Sequence, residues 1–158
     1  MNTLRSVHVA CVAPLLLLAA GGCQGVTDLR DIEPPSARVS RVELVETTDE
    51  GAVVRVLVDL ENPNRLALPL VASRYTLTVG ERYTYSVTER PNRTLPSLST
   101  QTLDLPAAFA TGGADLAGAP YRVSGTIEYQ APGPLRRIMT DSGIPLPSVP
   151  YSATGTLQ

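Results

Sequence analysis

"VDLENPNRLALPLVASRYTLTVG", residues Val58–Gly80, decides how this chain is read. Into it run Val54, Val56, Val58 and Leu60 at every second position, with Arg55, Asp59 and Glu61 between them and Leu57 on the mixed face. A period of two carried by β-branched residues marks a half-buried strand. Out of it run Tyr75, Leu77 and Val79, alternating with Thr76 and Thr78 as a second such strand. Between the two stand Asn62, Pro63 and Asn64. Proline fixes its φ and gives up its N–H, while asparagine side chains bond back to nearby main chain. The triplet therefore reads as a structural turn that stops one strand and sends the chain into "LALPL". Neither asparagine needs to be a ligand or a catalytic amide.

The same period extends outward in both directions. "RVSRVELVETT" precedes the first strand, "TDEG" supplies a hairpin turn, and the differing parity of Val39 and Val42 predicts a bulge. Gly80 with Glu81 makes the next turn into "RYTYSVTE". "TLPSLSTQTLDLPAAF" is extended, with Leu98, Leu103 and Leu105 as its apolar positions, and "ATGGADLAGAP" is loop. "YRVSGTIEYQ" puts Tyr121, Val123, Gly125, Ile127 and Tyr129 on one face; "YSATGTLQ" does the same with Tyr151, Ala153, Gly155 and Leu157. The prolines of "APGPLRRIMTDSGIPLPSVP" argue against a helix there. About seven strands joined by short turns, with no helical crossover, predict an all-β fold of two packed antiparallel sheets.

The N-terminus is a separate matter. "MNTLRSVH" with its single arginine, the apolar run "VACVAPLLLLAA" and the small residues before Cys23 have the layout of a signal peptide over residues 1–22, too short to span a bilayer. Ala20, Gly21, Gly22 and Cys23 resemble the lipobox of bacterial lipoproteins, although Ala20 stands where leucine is usual. That resemblance implies lipidation of Cys23, with anchoring to a membrane of the bacterial envelope. The absence of aspartate at Gln24 points to the periplasmic face of the outer membrane. The alternative is a secreted protein cleaved near Gly22 with a free cysteine. Residues 23–37 then form a lipidated tether, closed by Pro34 and Pro35, and residues 38–158 the domain; a first edge strand through "GVTDLRDI" is the other reading of the tether.

Composition removes several function classes. Of the 158 residues, the 136 after the leader suffice for one domain. His8 and Cys11, the sole histidine and the only cysteine besides Cys23, leave with the leader, so no internal disulfide can form and no histidine remains. The chain contains no lysine, and its arginines are dispersed except for Arg136–Arg137, which predicts no nucleic-acid partner. No cofactor loop, serine nucleophile motif or zinc ligand set is present, so no catalytic, cofactor or metal residue is assigned. Asp59 with Glu61 is the densest acidic pair near the turn, and with Asp104 could serve a carboxylate-dependent envelope hydrolase; as a strand's solvated side they need no such role. Asp49 and Glu50 read as hairpin-tip residues rather than a calcium loop. The six tyrosines, Tyr75, Tyr83, Tyr85, Tyr121, Tyr129 and Tyr151, suit either a sandwich core or an interface.

With the strands placed, Val58–Glu81 resembles the WHy domain, named for water stress and hypersensitive response, of the LEA-2 (LEA14-like) group of late embryogenesis abundant proteins. Asn62–Pro63–Asn64, then Leu68, Pro69 and Leu70, then Tyr75, Leu77, Val79 and Gly80 carry the likeness, and "GIPLPSVPYSATGTLQ" extends it to the C-terminus. The resemblance implies a fibronectin type III or immunoglobulin-like β-sandwich and a non-enzymatic part in desiccation and stress tolerance. The alternative function is a periplasmic binding or assembly module that recruits a partner envelope protein through a strand edge or loop.

Overall fold

The computed structural model describes residues 32–158; the leader, Cys23 and most of the tether lie outside the described residues. Eight strands and one short helix follow in the order β1 (Ser36–Thr47), β2 (Gly51–Asn62), β3 (Leu68–Val79), β4 (Tyr83–Glu89), β5 (Thr94–Leu95), β6 (Ser99–Ala110), β7 (Pro120–Tyr129), α1 (Pro134–Asp141) and β8 (Ser148–Thr156). β1, β2 and β6 form one antiparallel sheet; β4, β3, β7 and β8 form the other, with two-residue β5 added to the start of β3. This is the sandwich that the alternation predicts, seven full strands and one fragment.

Central strands carry the core because their inner faces are continuous. Val54, Val56, Val58 and Leu60 of β2 are fully buried, facing Leu77 and Val79 of β3 and Val123 and Ile127 of β7. Each such side chain contributes about 1.5–3 kcal/mol on burial. The expected β1 bulge lies between Val39 and Arg41, and a second lies between Leu44 and Glu46. "LALPL" and "RYTLTVG" join into one strand, β3, whose pairing with β7 shifts between Leu70 and Ala72. That irregularity moves the buried set from Leu68 and Leu70 to Ser73, Tyr75, Leu77 and Val79, so the change of parity is absorbed inside a single element.

The expectation of no helix over "APGPLRRIMTDSGIPLPSVP" is corrected by α1. Its prolines fall outside the helix interior: Pro132 precedes it, Pro134 opens it where the missing N–H is harmless, and Pro145 and Pro147 follow it. Gly143, at φ 65°, ends it in the left-handed conformation, and Ile144 N donates to the Met139 carbonyl at 2.9 Å. No helix among the described residues is long and apolar enough to cross a membrane.

Tyrosines fill the space between and beside the sheets. Tyr75 sits against Tyr85, and Tyr83 and Tyr85 meet Phe109 edge-on at 6.4 and 6.1 Å, closing the flank between β4 and β6. The Tyr75 hydroxyl donates to the Pro106 carbonyl across the sheets. Tyr151 lies over Gly125, its cross-strand partner, and Tyr121 over Gly155. Both glycines are places where a ring occupies the volume of an absent side chain.

Two outcomes follow from this packing. Gly125→Ala puts a Cβ 2.6 Å from the Tyr151 ring and 2.7 Å from the Arg74 carbonyl oxygen, where backbone cannot yield, and should lower stability by about 1–3 kcal/mol in urea titration. Burial raises the pKa of Tyr75, Tyr129 and Tyr151, so above the ordinary tyrosine value of about 10 the unfolded chain loses protons that the folded one keeps. Stability should be intact below that pH and fall as pH rises further, seen as an unfolding midpoint that drops together with the onset of tyrosinate absorbance.

Candidate functional site

Asn62 is the last residue of β2, only 1% exposed, and Asn64 is 6% exposed; Pro63 between them faces solvent. Two buried amides at a strand end must find partners or cost the fold several kcal/mol. Here every polar atom of the two side-chain amides has a partner. The Asn62 Nδ2 donates to the Leu66 carbonyl at 2.9 Å and the Pro96 carbonyl at 2.8 Å, with the Leu95 carbonyl at 3.4 Å. Its Oδ1 accepts both the backbone N–H of Asn64 at 3.0 Å and the Asn64 Nδ2 at 2.9 Å. The second amide then reaches outward: Asn64 Nδ2 donates to the Glu33 carbonyl at 2.8 Å, and its Oδ1 accepts the Glu33 N–H at 2.9 Å. The Asn64 carbonyl takes the Leu98 N–H at 2.9 Å.

The turn is thus also a junction. It fixes the β2 end, the corner through Leu66, the Leu95–Leu98 segment and the residues by which the chain enters the sandwich. An aspartate at position 62 has no donor for the carbonyls of Leu66 and Pro96, and one at position 64 has none for the Glu33 carbonyl, which explains why two amides stand here. Adjoining hydrogen bonds bring further segments to the same end: Leu70 N to the Arg93 carbonyl at 2.8 Å, Gln130 N to the Pro69 carbonyl at 2.9 Å, and Tyr129 N to the Pro147 carbonyl at 3.0 Å. Chain entry, the corner, the β4–β6 connection and the α1 connection therefore share one end of the sandwich. Sequence reading identified the turn residues but not the tie to Glu33, 31 residues away. Nothing in a one-dimensional pattern marks that pairing.

The other sequence candidates take no part in the hydrogen bonds of this junction. Asp59 accepts from Thr102 Oγ1 at 2.8 Å and Ser40 Oγ at 3.2 Å and lies 3.9 Å from Arg38, and Asp104 is 3.2 Å from Arg55 Nε. Both are ion-paired on the solvent side of the first sheet, and Glu61 is exposed at the end of β2. No group of three metal-ligating side chains occurs among the described residues. An open depression of about 650 Å³ beside the β3–β4 turn is lined by Thr78, Glu81, Tyr121, Arg122 and Thr154 and offers hydroxyls with one charge of each sign. The solvent face of the second sheet continues this character, with Thr76 and Ser86 at 2.8 Å and Thr78 and Thr84 at 3.3 Å in cross-strand hydroxyl pairs. The tyrosines serve the core and its flanks, not an exposed aromatic platform. Cys23 lies outside the described residues.

Solved structures resemble the whole domain. A solution structure described as that of a late embryogenesis abundant (LEA) protein, At2g46140.1, superposes with a TM-score of 0.60 over 83% of this chain and 74% of its own, at 20% identity. The solution structure of AT1g01470 from Arabidopsis thaliana gives 0.56 over 85% and 88%, at 15% identity. At such identities the likeness establishes the fold. No family model and no curated protein matches the sequence.

Asn62→Ala removes the side-chain donor to the carbonyls of Leu66 and Pro96 and the acceptor of the Asn64 backbone N–H and Nδ2, and should cost about 2–4 kcal/mol by denaturant titration. Asn62→Asp should be worse at neutral pH, since it sets a carboxylate against those carbonyl oxygens. Its folded-state pKa would lie above the unfolded value near 4, so the deficit against wild type should narrow as pH falls towards 4 and widen as pH rises.

Proposed function

We propose that this chain is a non-enzymatic lipoprotein of the bacterial envelope, a member of the LEA-2 group, anchored through Cys23 at the periplasmic face of the outer membrane and contributing to desiccation and stress tolerance. The observation that carries the reading is the match of the complete sandwich to a structure described as a LEA protein, together with the Asn62–Pro63–Asn64 corner that the family resemblance picks out. A rigid domain held by core packing and a saturated polar junction can keep its shape as water is withdrawn. Its hydroxyl-rich outer sheet face offers hydrogen-bond partners to neighbouring proteins or lipid headgroups that are losing theirs.

A second reading, an assembly module that recruits an envelope protein, has one feature in its favour. β4 pairs with β3 on one side only, leaving Tyr83–Glu89 as a sheet edge that a partner strand could extend.

Metabolic labelling with palmitate should mark the wild type and not Cys23→Ser, and the variant should leave the membrane fraction; an unlabelled wild type contradicts the anchor. A deletion strain should survive drying less well than its parent, and equal survival contradicts the protective role. Recovery of a reproducible partner that depends on the folded domain, with no drying defect, would replace this reading with the assembly module.

A further inference from the structure

The corner end of the sandwich has a surface unlike the rest of the molecule. Four of the five large apolar side chains that the described residues expose lie there: Leu98 at 67%, Ile138 at 51%, Ile144 at 49% and Leu146 at 40%. Leu98 is held at φ 48°, a left-handed conformation that costs a leucine about 1 kcal/mol, and still it points its side chain at solvent. Three of the four belong to α1 and the segment after it. Beside them stand Arg136 and Arg137, exposed, the one pair of adjacent arginines in the chain.

Charge separates the two ends. Arginines on the sheet faces are mostly paired with carboxylates, Arg38 with Asp59, Arg41 and Arg55 with Glu43, Arg74 with Glu128. Arg65, Arg90, Arg93, Arg136 and Arg137, all exposed at the corner end, have no carboxylate within 4.0 Å among the described residues. They are offset in number by Glu33, Glu61, Glu89 and Asp141. The opposite end carries Glu46, Asp49, Glu50, Glu81 and Asp115 against Arg82 and Arg122. A negatively charged plane would draw the corner end towards it and repel the other.

From these observations we infer that the corner end is a seat for an anionic phospholipid bilayer, with Ile138, Ile144, Leu146 and Leu98 entering the headgroup region and Arg136 and Arg137 meeting lipid phosphates. Unpaired guanidinium groups flanking a few exposed aliphatic side chains suit that interface, where the apolar part is buried shallowly and the charge meets phosphate. The chain's own route agrees with this orientation. Glu33 is pinned at this same end by Asn64, and the ten residues from Cys23 to Glu33 reach at most about 35 Å. The proposal rests on the anchor reading for the nearness of the bilayer, whereas the surface itself belongs to the domain.

The chain has no tryptophan, so Ile138→Trp in the full chain, purified in detergent after its natural processing, places a single reporter in the seat. Mixed with phosphatidylglycerol-containing vesicles, its emission should shift to the blue and be quenched by brominated acyl chains, much less so with pure phosphatidylcholine or at high salt. Adding Arg136→Gln and Arg137→Gln should weaken the response on the order of 10-fold, with circular dichroism unchanged. A chain carried on vesicles by its lipid while the reporter stays unquenched overturns the seat and leaves the anchor standing. Quenching of a chain whose mass shows no lipid supports the seat and removes the anchor. A blue shift that grows with protein concentration without vesicles would assign the surface to a second copy and overturn the proposal.

Discussion

Two side-chain amides decide whether one end of this sandwich can be closed. β2 stops at Asn62 beside the carbonyls of Leu66, Leu95 and Pro96, and a carbonyl taken from water without a donor costs a fold about 1–3 kcal/mol. Asn62 supplies the donors, and Asn64 uses Asn62's remaining acceptor while taking hold of both polar groups of Glu33. Once those bonds are made, four segments that share no secondary structure are fixed relative to one another. The strands make the walls of the molecule, and this pair of amides makes its floor.

Much of the wall was legible in the sequence, because burial on one face writes itself as a period of two. Val54 to Leu60, Tyr75 to Val79 and Tyr121 to Tyr129 each show it, and each lies where the alternation places it. The β1 bulge was visible as a change of parity between Val39 and Val42. What could not be read has a physical cause in each case. α1 is hidden because proline counts say nothing about where in a helix the prolines fall, and here they sit only at its first turn and beyond its ends. β3 looks like two segments since its irregularity switches faces at Ala72. The bond between Asn64 and Glu33 spans 31 residues, and no local pattern announces such a contact. For the candidate site, the turn residues were apparent, whereas the end they organise was not. It is assembled from loops that acquire a common surface only when the sheets pack.

That shared end gives the molecule a direction. Sheet faces with paired charges and ranks of hydroxyls interact evenly with water, while aliphatic and unpaired basic side chains collect around the entry of the chain. A domain tied near that entry presents its acidic end away from whatever surface holds it. Fold, polarity and proposed anchorage are therefore aspects of one arrangement, in which the asparagine junction sets the position of the tether.

The junction is accessible to direct measurement. Amide hydrogen exchange followed by NMR reports separately on Glu33, Asn64 and Leu98, whose N–H groups each have a single acceptor within this network. If the amides of Asn62 and Asn64 close the sandwich, all three should exchange as slowly as the central residues of β2 and lose protection together with them in denaturant. Rapid exchange at Glu33 and Leu98 beside a protected β2 would show that the sandwich stands without its floor, and would contradict the account.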